Sequence, residues 1–179
     1  MSIMSRVEQM REIQTNALVV FERDGLLVEC IENCDIGEGL AQILRGVTDD
    51  IEKMVVVEKN KIKLCRTSQK ETWDTLLIRL YLISGIAYIR ARTPETEDYR
   101  QKLIELQREA LDVFVCKNTD YGDAFETYGF IGVLVRIGDK IHRIQNIMRN
   151  GMALVKDESV RDTLLDLHNY SAIALMLVE

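Results

Sequence analysis

The sequence predicts an all-α chain made of two tandem, degenerate helical repeats packed on each other as an intramolecular pseudo-dimer. Two observations carry this expectation. First, the 179 residues include one proline and only 6% aromatics, while 47% are hydrophobic and 29% charged. That is a globular composition leaning towards helices over a sheet. Second, the chain is written twice. Glu12-Ile-Gln-Thr-Asn-Ala-Leu-Val-Val-Phe21 aligns with Glu105-Leu-Gln-Arg-Glu-Ala-Leu-Asp-Val-Phe114, six of the ten positions being identical. Asn33-Cys-Asp-Ile-Gly-Glu38 echoes Asn118-Thr-Asp-Tyr-Gly-Asp123, Asp74-Thr-Leu-Leu77 echoes Asp162-Thr-Leu-Leu165, and Ser84-Gly-Ile-Ala87 echoes Ser171-Ala-Ile-Ala174. The four blocks keep the same order.

The elements follow in sequence. A long helix over residues 4–22 opens the first copy, and a loop carries its Asn33 block. The β-branched run at residues 54–57 fits a short strand, and a final helix spans residues 69–92. The seam falls at Thr93-Pro94-Glu95, where a threonine cap, a proline at the first helical position and an acidic residue announce a new helix. The copies are therefore residues 1–93 and 94–179. In the second, a helix over residues 95–117 stops at the turn formers of Asn118 to Gly122. A middle helix over residues 130–149 is closed by Asn150-Gly151, and a last helix runs from residue 157 to the C-terminus. A unit of this size cannot bury its apolar faces alone, which is why the copies are expected to pair.

Charge and segment content narrow the function. The formal net charge is −6, which argues against strong nucleic-acid binding. No run of 18 apolar residues and no apolar signal core occurs, so no membrane association and a cytoplasmic location are expected. Cys30, Cys34, Cys65 and Cys116 show no CxxC or His spacing and read as reduced, mostly buried thiols. Walker A, Rossmann and nucleophile-elbow patterns are absent from the sequence. His142 and His168 lack a nucleophilic setting and read as surface or interhelical hydrogen-bonding residues.

Polar stripes mark the candidate chemistry. On the last helix Glu158, Asp162, Asp166 and Asn169 fall within about 80° of one another, beside Leu164, Leu165 and Leu167. On the middle helix Arg136, Asp139, Lys140 and Arg143 fall within about 100°, while Val133, Leu134, Ile137, Ile141 and Ile144 cover other sides. Facing acidic and basic stripes can be a layer of interhelical ion pairs. They can equally be carboxylates that hold magnesium, with arginine and lysine on the phosphates that the metal bridges. Lys117, Asn118, Asp120 and Tyr121, at a helix end, add a cation, an amide, a carboxylate and a ring.

These residues resemble the nucleotide-modification-associated helical family, long catalogued as a domain of unknown function in phages and bacteria. The resemblance rests on Lys117-Asn-Thr-Asp-Tyr-Gly-Asp-Ala-Phe125, Arg136-x-x-Asp-Lys-x-x-Arg143 and Asp157-Glu-Ser-Val-Arg-Asp-Thr-Leu-Leu-Asp-Leu-His-Asn-Tyr170. That family looks related to the MazG-like all-α nucleoside triphosphate pyrophosphatases, which hold magnesium between acidic pairs on two helices. The resemblance implies Mg2+ as cofactor, with Asp139, Glu158, Asp162 and Asp166 as metal ligands and Glu158, Asp162 and Asp166 catalytic. It implies a nucleotide as the small-molecule partner, contacted by Lys117, Asn118, Asp120, Tyr121, Arg136, Lys140, Arg143 and Asn169. The implied function is magnesium-dependent nucleotide (pyro)phosphohydrolysis on a deoxynucleotide or modified nucleotide. One departure matters: the Glu-x-x-Glu pair expected on the facing helix is missing. Nucleotide binding without turnover, as a sponge or sensor in phage-host conflict, is the alternative, followed by a helical adaptor without ligand. A homo-oligomer is left open. In the first copy Ile78 and Tyr81 stand where the Asp-Thr-Leu-Leu alignment has Asp166 and Asn169, so that copy is expected to be a structural partner.

Overall fold

The computed structural model describes residues 3–23, 49, 55–58, 61–64, 70–150 and 159–178. Among them are five α-helices: α1 (Ile3–Arg23), α2 (Lys70–Arg92), α3 (Tyr99–Tyr121), α4 (Gly129–Asn150) and α5 (Val160–Leu177). A two-stranded antiparallel hairpin, β1 (Val55–Glu58) with β2 (Lys61–Leu64), pairs Val55 with Leu64 and Glu58 with Lys61. The β-branched run does form a strand, and the body is helical. None of the described helices is long and apolar enough to cross a membrane. The loop blocks Asn33 to Glu38 and Asn150-Gly151, together with Cys30, Cys34 and Cys65, lie wholly or partly outside the described residues.

Three helix boundaries differ from the sequence expectation. Helix α3 starts at Tyr99, not beside Pro94, because the cap is Asp98, whose carboxylate accepts from the Gln101 amide at 2.9 Å. Thr93 instead closes α2, its N–H donating to the Ile89 carbonyl at 2.7 Å. At the other end α3 runs through Asn118 to Tyr121 and stops only at Gly122, where φ is +63°, a backbone region that glycine enters without steric cost. Asn118 is buried on the same stripe as Leu103, Gln107, Ala110 and Phe114, and that burial carries the helix past a residue of low helical propensity. Helix α5 begins at Val160, since Ser159 and Asp162 form a reciprocal capping box there.

Helices α2 and α5 form the most extensive helix pair, and α5 also packs on α4, α1 and α3. Burial on α2 is continuous from Leu80 to Ile89, as expected for a helix covered on several sides. Close approach is possible because small residues face the seam. A Cβ on Gly85 would lie 3.1 Å from two atoms of the His168 ring, so the imidazole occupies the space a side chain would take. That ring stacks on Tyr81 at a centroid distance of 3.7 Å, and its Nδ1–H donates to the Tyr81 carbonyl at 2.8 Å. His168 is thus an interhelical hydrogen-bonding residue, fully buried. Ser84 and Ser171, matched in the repeated blocks, each donate to the carbonyl four residues before, at 2.8 and 2.7 Å.

Helices α1 and α3 also pack together. Their buried stripes run in step: Met10, Gln14, Ala17 and Phe21 on one, Leu103, Gln107, Ala110 and Phe114 on the other. Gln14 donates its amide to the Gln107 carbonyl at 2.7 Å, and Gln107 donates to the Gln14 carbonyl at 3.0 Å. Trp73 of α2 meets Phe130 of α4 edge to face at 5.1 Å. The only described cysteine, Cys116, is exposed rather than buried.

Two expectations follow from this core. Gln14→Ala and Gln107→Ala should each cost about 1 kcal/mol, and in the double variant the losses should fail to add, as urea titration would show. Burial pushes the His168 imidazole down to about 4, although its bond to the Tyr81 carbonyl pulls the other way. The unfolded chain therefore takes up the proton first. Stability should be complete above about pH 6.5 and decline by up to roughly 3 kcal/mol as pH falls to about 4. Histidine proton chemical shifts followed against pH report that titration directly.

Candidate functional site

The last turn of α3, the turn after it, and the exposed edges of α4 and α5 converge at one place. Each contributes for a local reason. The apolar stripe of α4, Val133, Leu134, Ile137, Ile141 and Ile144, is buried against the core, which turns Arg136 and Asp139 to solvent and leaves Lys140 at the margin. On α5 the burial of Leu164, Leu167 and His168 places Asp166 at the same margin from the opposite side. Helix α3 brings Lys117 there because its buried stripe ends one residue later, at Asn118.

At the meeting point two lysines grip one carboxylate. Lys117 Nζ donates to Asp166 Oδ1 at 2.7 Å and Lys140 Nζ to Oδ2 at 2.8 Å. The Asp166 and Lys140 side chains are 19% and 20% exposed, whereas Lys117 is 54% exposed, so the cluster opens to solvent on the Lys117 side. Burial raises the Asp166 carboxyl, but the two ammonium groups more than offset it and hold it below the usual carboxylate range. The trio carries a net charge of +1. An ammonium has three donors, and Lys117 spends one of them on Asp166.

The neighbours divide into two sets. Asn118 is buried and donates to Asp123 at 3.2 Å, tying the helix end to the turn. Asp120 and Tyr121 are exposed, the tyrosine ring by 74%, and Tyr128 at the far end of the turn is 80% exposed. Arg143 lies within electrostatic reach of Asp162. Asn169, by contrast, is buried away from the lysines and donates to the Ala110 carbonyl at 3.1 Å, holding α5 to α3. The Asp166 partners are Lys140, one of those open from sequence, and Lys117, which spacing along one helix could not have paired with it.

Two of the four carboxylates that the resemblance implies for magnesium, Asp162 and Asp166, are bonded otherwise in this arrangement. Asp162 Oδ2 accepts from the Ser159 amide and hydroxyl, both at 2.7 Å, and these bonds lower its pKa. Asp166 has an ammonium on each oxygen, and Asp139 is exposed. Among the described residues no three histidine, cysteine, aspartate or glutamate side chains assemble into a group able to hold a metal ion, and Glu158 lies outside them. The donor set as described does not fit magnesium.

Three residues around the turn after α3 were not read from sequence: Arg6, which pairs with Glu126, Glu126 itself, and the exposed Tyr128. For Arg6 the signal was present, since it stands in phase with the buried stripe of Met10, Gln14, Ala17 and Phe21, where a charge needs a partner. Residues 117–178, which run from the site lysine on α3 through α4 and α5, match the family model described as "Nucleotide modification associated domain 1". No curated protein and no solved structure matches the chain.

Asp166→Asn tests the cluster at constant shape. A carboxyl whose pKa is lowered on folding contributes stability above its unfolded value and loses it as pH falls through the folded one. At pH 7 the substitution should therefore cost about 1–2 kcal/mol, with the gap from the unsubstituted protein closing as pH falls below the usual carboxylate range. Urea titrations of both proteins at pH 7 and at acid pH make the comparison.

Proposed function

We propose that the C-terminal region binds a nucleotide through its phosphates, with Lys117 and Lys140 as the phosphate contacts. The observation that carries this reading is the convergence of two lysines, from different helices, on one half-buried carboxylate. Asp166 holds both ammonium groups in place before any ligand arrives, which reduces the ordering cost of binding. The spare donors of Lys117 face solvent, where a phosphate can take them as charge-assisted hydrogen bonds. Arg136 and Arg143, on the same face of α4, extend the positive surface, and the exposed Tyr121 ring is available for stacking against a base. Asn118 and Asp120 serve the site through the helix end that carries Lys117 and Tyr121. The name of the matching family, which concerns nucleotide modification, agrees with this ligand class.

The finer architectural reading belongs here too. We read residues 1–93 and 94–179 as two copies related by an approximate twofold axis. The support is the reciprocal pair of Gln14 and Gln107, which stand at matched positions and each donate to the other, as contacts across a twofold do. The first copy contributes the covering helices α1 and α2.

A nucleotide panel with and without magnesium tests the function, read by thermal shift and by release of phosphate or pyrophosphate. A shift without release is the expected result. Release that depends on magnesium would instead make the protein a phosphohydrolase, and no shift with any nucleotide would leave a helical adaptor. Lys117→Ala should weaken binding about tenfold or more while hardly changing the melting temperature, because an exposed ion pair adds little stability. Equal loss of binding and folding would return the lysines to a structural ion-pair layer.

A further inference from the structure

Arg6 is the one strongly buried charge on α1, with a relative exposure of 5%. It belongs to the first half of the chain, far in sequence from the segment matching the family model, yet its contacts reach into that segment. Its guanidinium pairs with the Glu126 carboxylate and lies 5.5 Å from the centroid of the Phe125 ring. A second bond, to Gln9 Oε1 at 2.9 Å, fixes the arginine on its own helix. Phe125 in turn meets Phe114 of α3 at 6.4 Å.

Glu126 and Phe125 belong to a single 3-10 turn over Ala124–Glu126, closed by the Glu126 N–H to the Asp123 carbonyl at 2.9 Å. This turn lies between the two exposed tyrosines, Tyr121 and Tyr128. Its own bond to the helix beside the site is the Asn118 to Asp123 contact at 3.2 Å. No residue of the turn is fully buried; Phe125, partly buried against the core beside Phe114, is its one apolar contact, which leaves much of its placement to polar anchors. The anchor comes from α1: a buried cation with one carboxylate partner and one ring, a geometry that stabilises only one placement of residues 122–128.

We infer that Arg6 is a positioning residue for the nucleotide site, holding residues 122–128 as its wall, so that a helix outside the matching segment completes the site. The inference rests on the nucleotide-binding reading and adds to it which residue outside the segment sets the affinity. Arg6 touches neither lysine; it acts through Glu126 and Phe125.

The test uses the full chain and three variants. Arg6→Met keeps the length of the side chain over Phe125 and removes the charge, Arg6→Lys keeps the charge, and Glu126→Gln breaks the pair from the loop side should Arg6→Met fail to fold. Hydrogen exchange of residues 122–128 and nucleotide dissociation constants, with the tightest-binding nucleotide of the panel, are the two readouts. In Arg6→Met and Glu126→Gln, protection should fall within residues 122–128 while α2 and α5 keep theirs, and affinity should fall about tenfold. Arg6→Lys should restore most of both. Unchanged loop protection, or lost protection with unchanged affinity, overturns the inference while leaving nucleotide binding in place. If the unsubstituted protein binds no nucleotide, the nucleotide reading fails and this inference fails with it.

Discussion

The seam between α2 and α5 is the constraint on which the rest of the molecule depends. A helix pair approaches this closely only where side chains are small, and Gly85 supplies the gap that the His168 ring fills. Burial favours the neutral imidazole: its Nδ1–H goes to the Tyr81 carbonyl, and its Nε2 has no hydrogen-bond partner among the described residues. Once α5 is set against α2, its opposite margin is fixed as well, and Asp166 must emerge where the last turn of α3 and the middle of α4 present Lys117 and Lys140. A one-turn slide along the seam would carry Asp166 about 5.4 Å away from both lysines.

That arrangement gives the charged cluster a property absent from any of its helices alone. Asp166 is partly buried by the packing, which opposes ionisation, and two ammonium groups restore the charged form. Each lysine comes from a different helix, so the cluster reports whether α3, α4 and α5 are assembled. It also leaves one flank covered and one open, and a polyanion can approach only along the Lys117 flank. The acidic stripe of α5 therefore works in two ways: Asp162 starts the helix as a cap, and Asp166 organises cations.

The turn between α3 and α4 belongs to this logic at one remove. Gly122 ends α3 in a conformation that other residues rarely adopt, and the 3-10 turn then doubles the chain back towards α1. The turn has one partly buried side chain, Phe125, which rests on Phe114, and Arg6 and Asn118 add the polar contacts to it.

Much of this was legible in the residues. Helical content, the strand at the β-branched run, the inward face of α4 and the stretch joining Lys117 to Asn169 all follow from periodicity and local motifs, because those signals act over one or two turns. Cap positions were less secure: Asp98, not Thr93, caps α3 because its side chain reaches the Gln101 amide in the folded geometry, and burial of Asn118 overrides its turn-forming habit. Which lysine meets Asp166, that Asn169 faces inward to Ala110, and that Arg6 anchors a turn more than a hundred residues away were decided by tertiary packing alone. The physical reason is common to all three. Sequence spacing fixes which side of its own helix a residue occupies, whereas rotation and offset between helices, set here by Gly85, His168 and the paired glutamines, determine what that side meets.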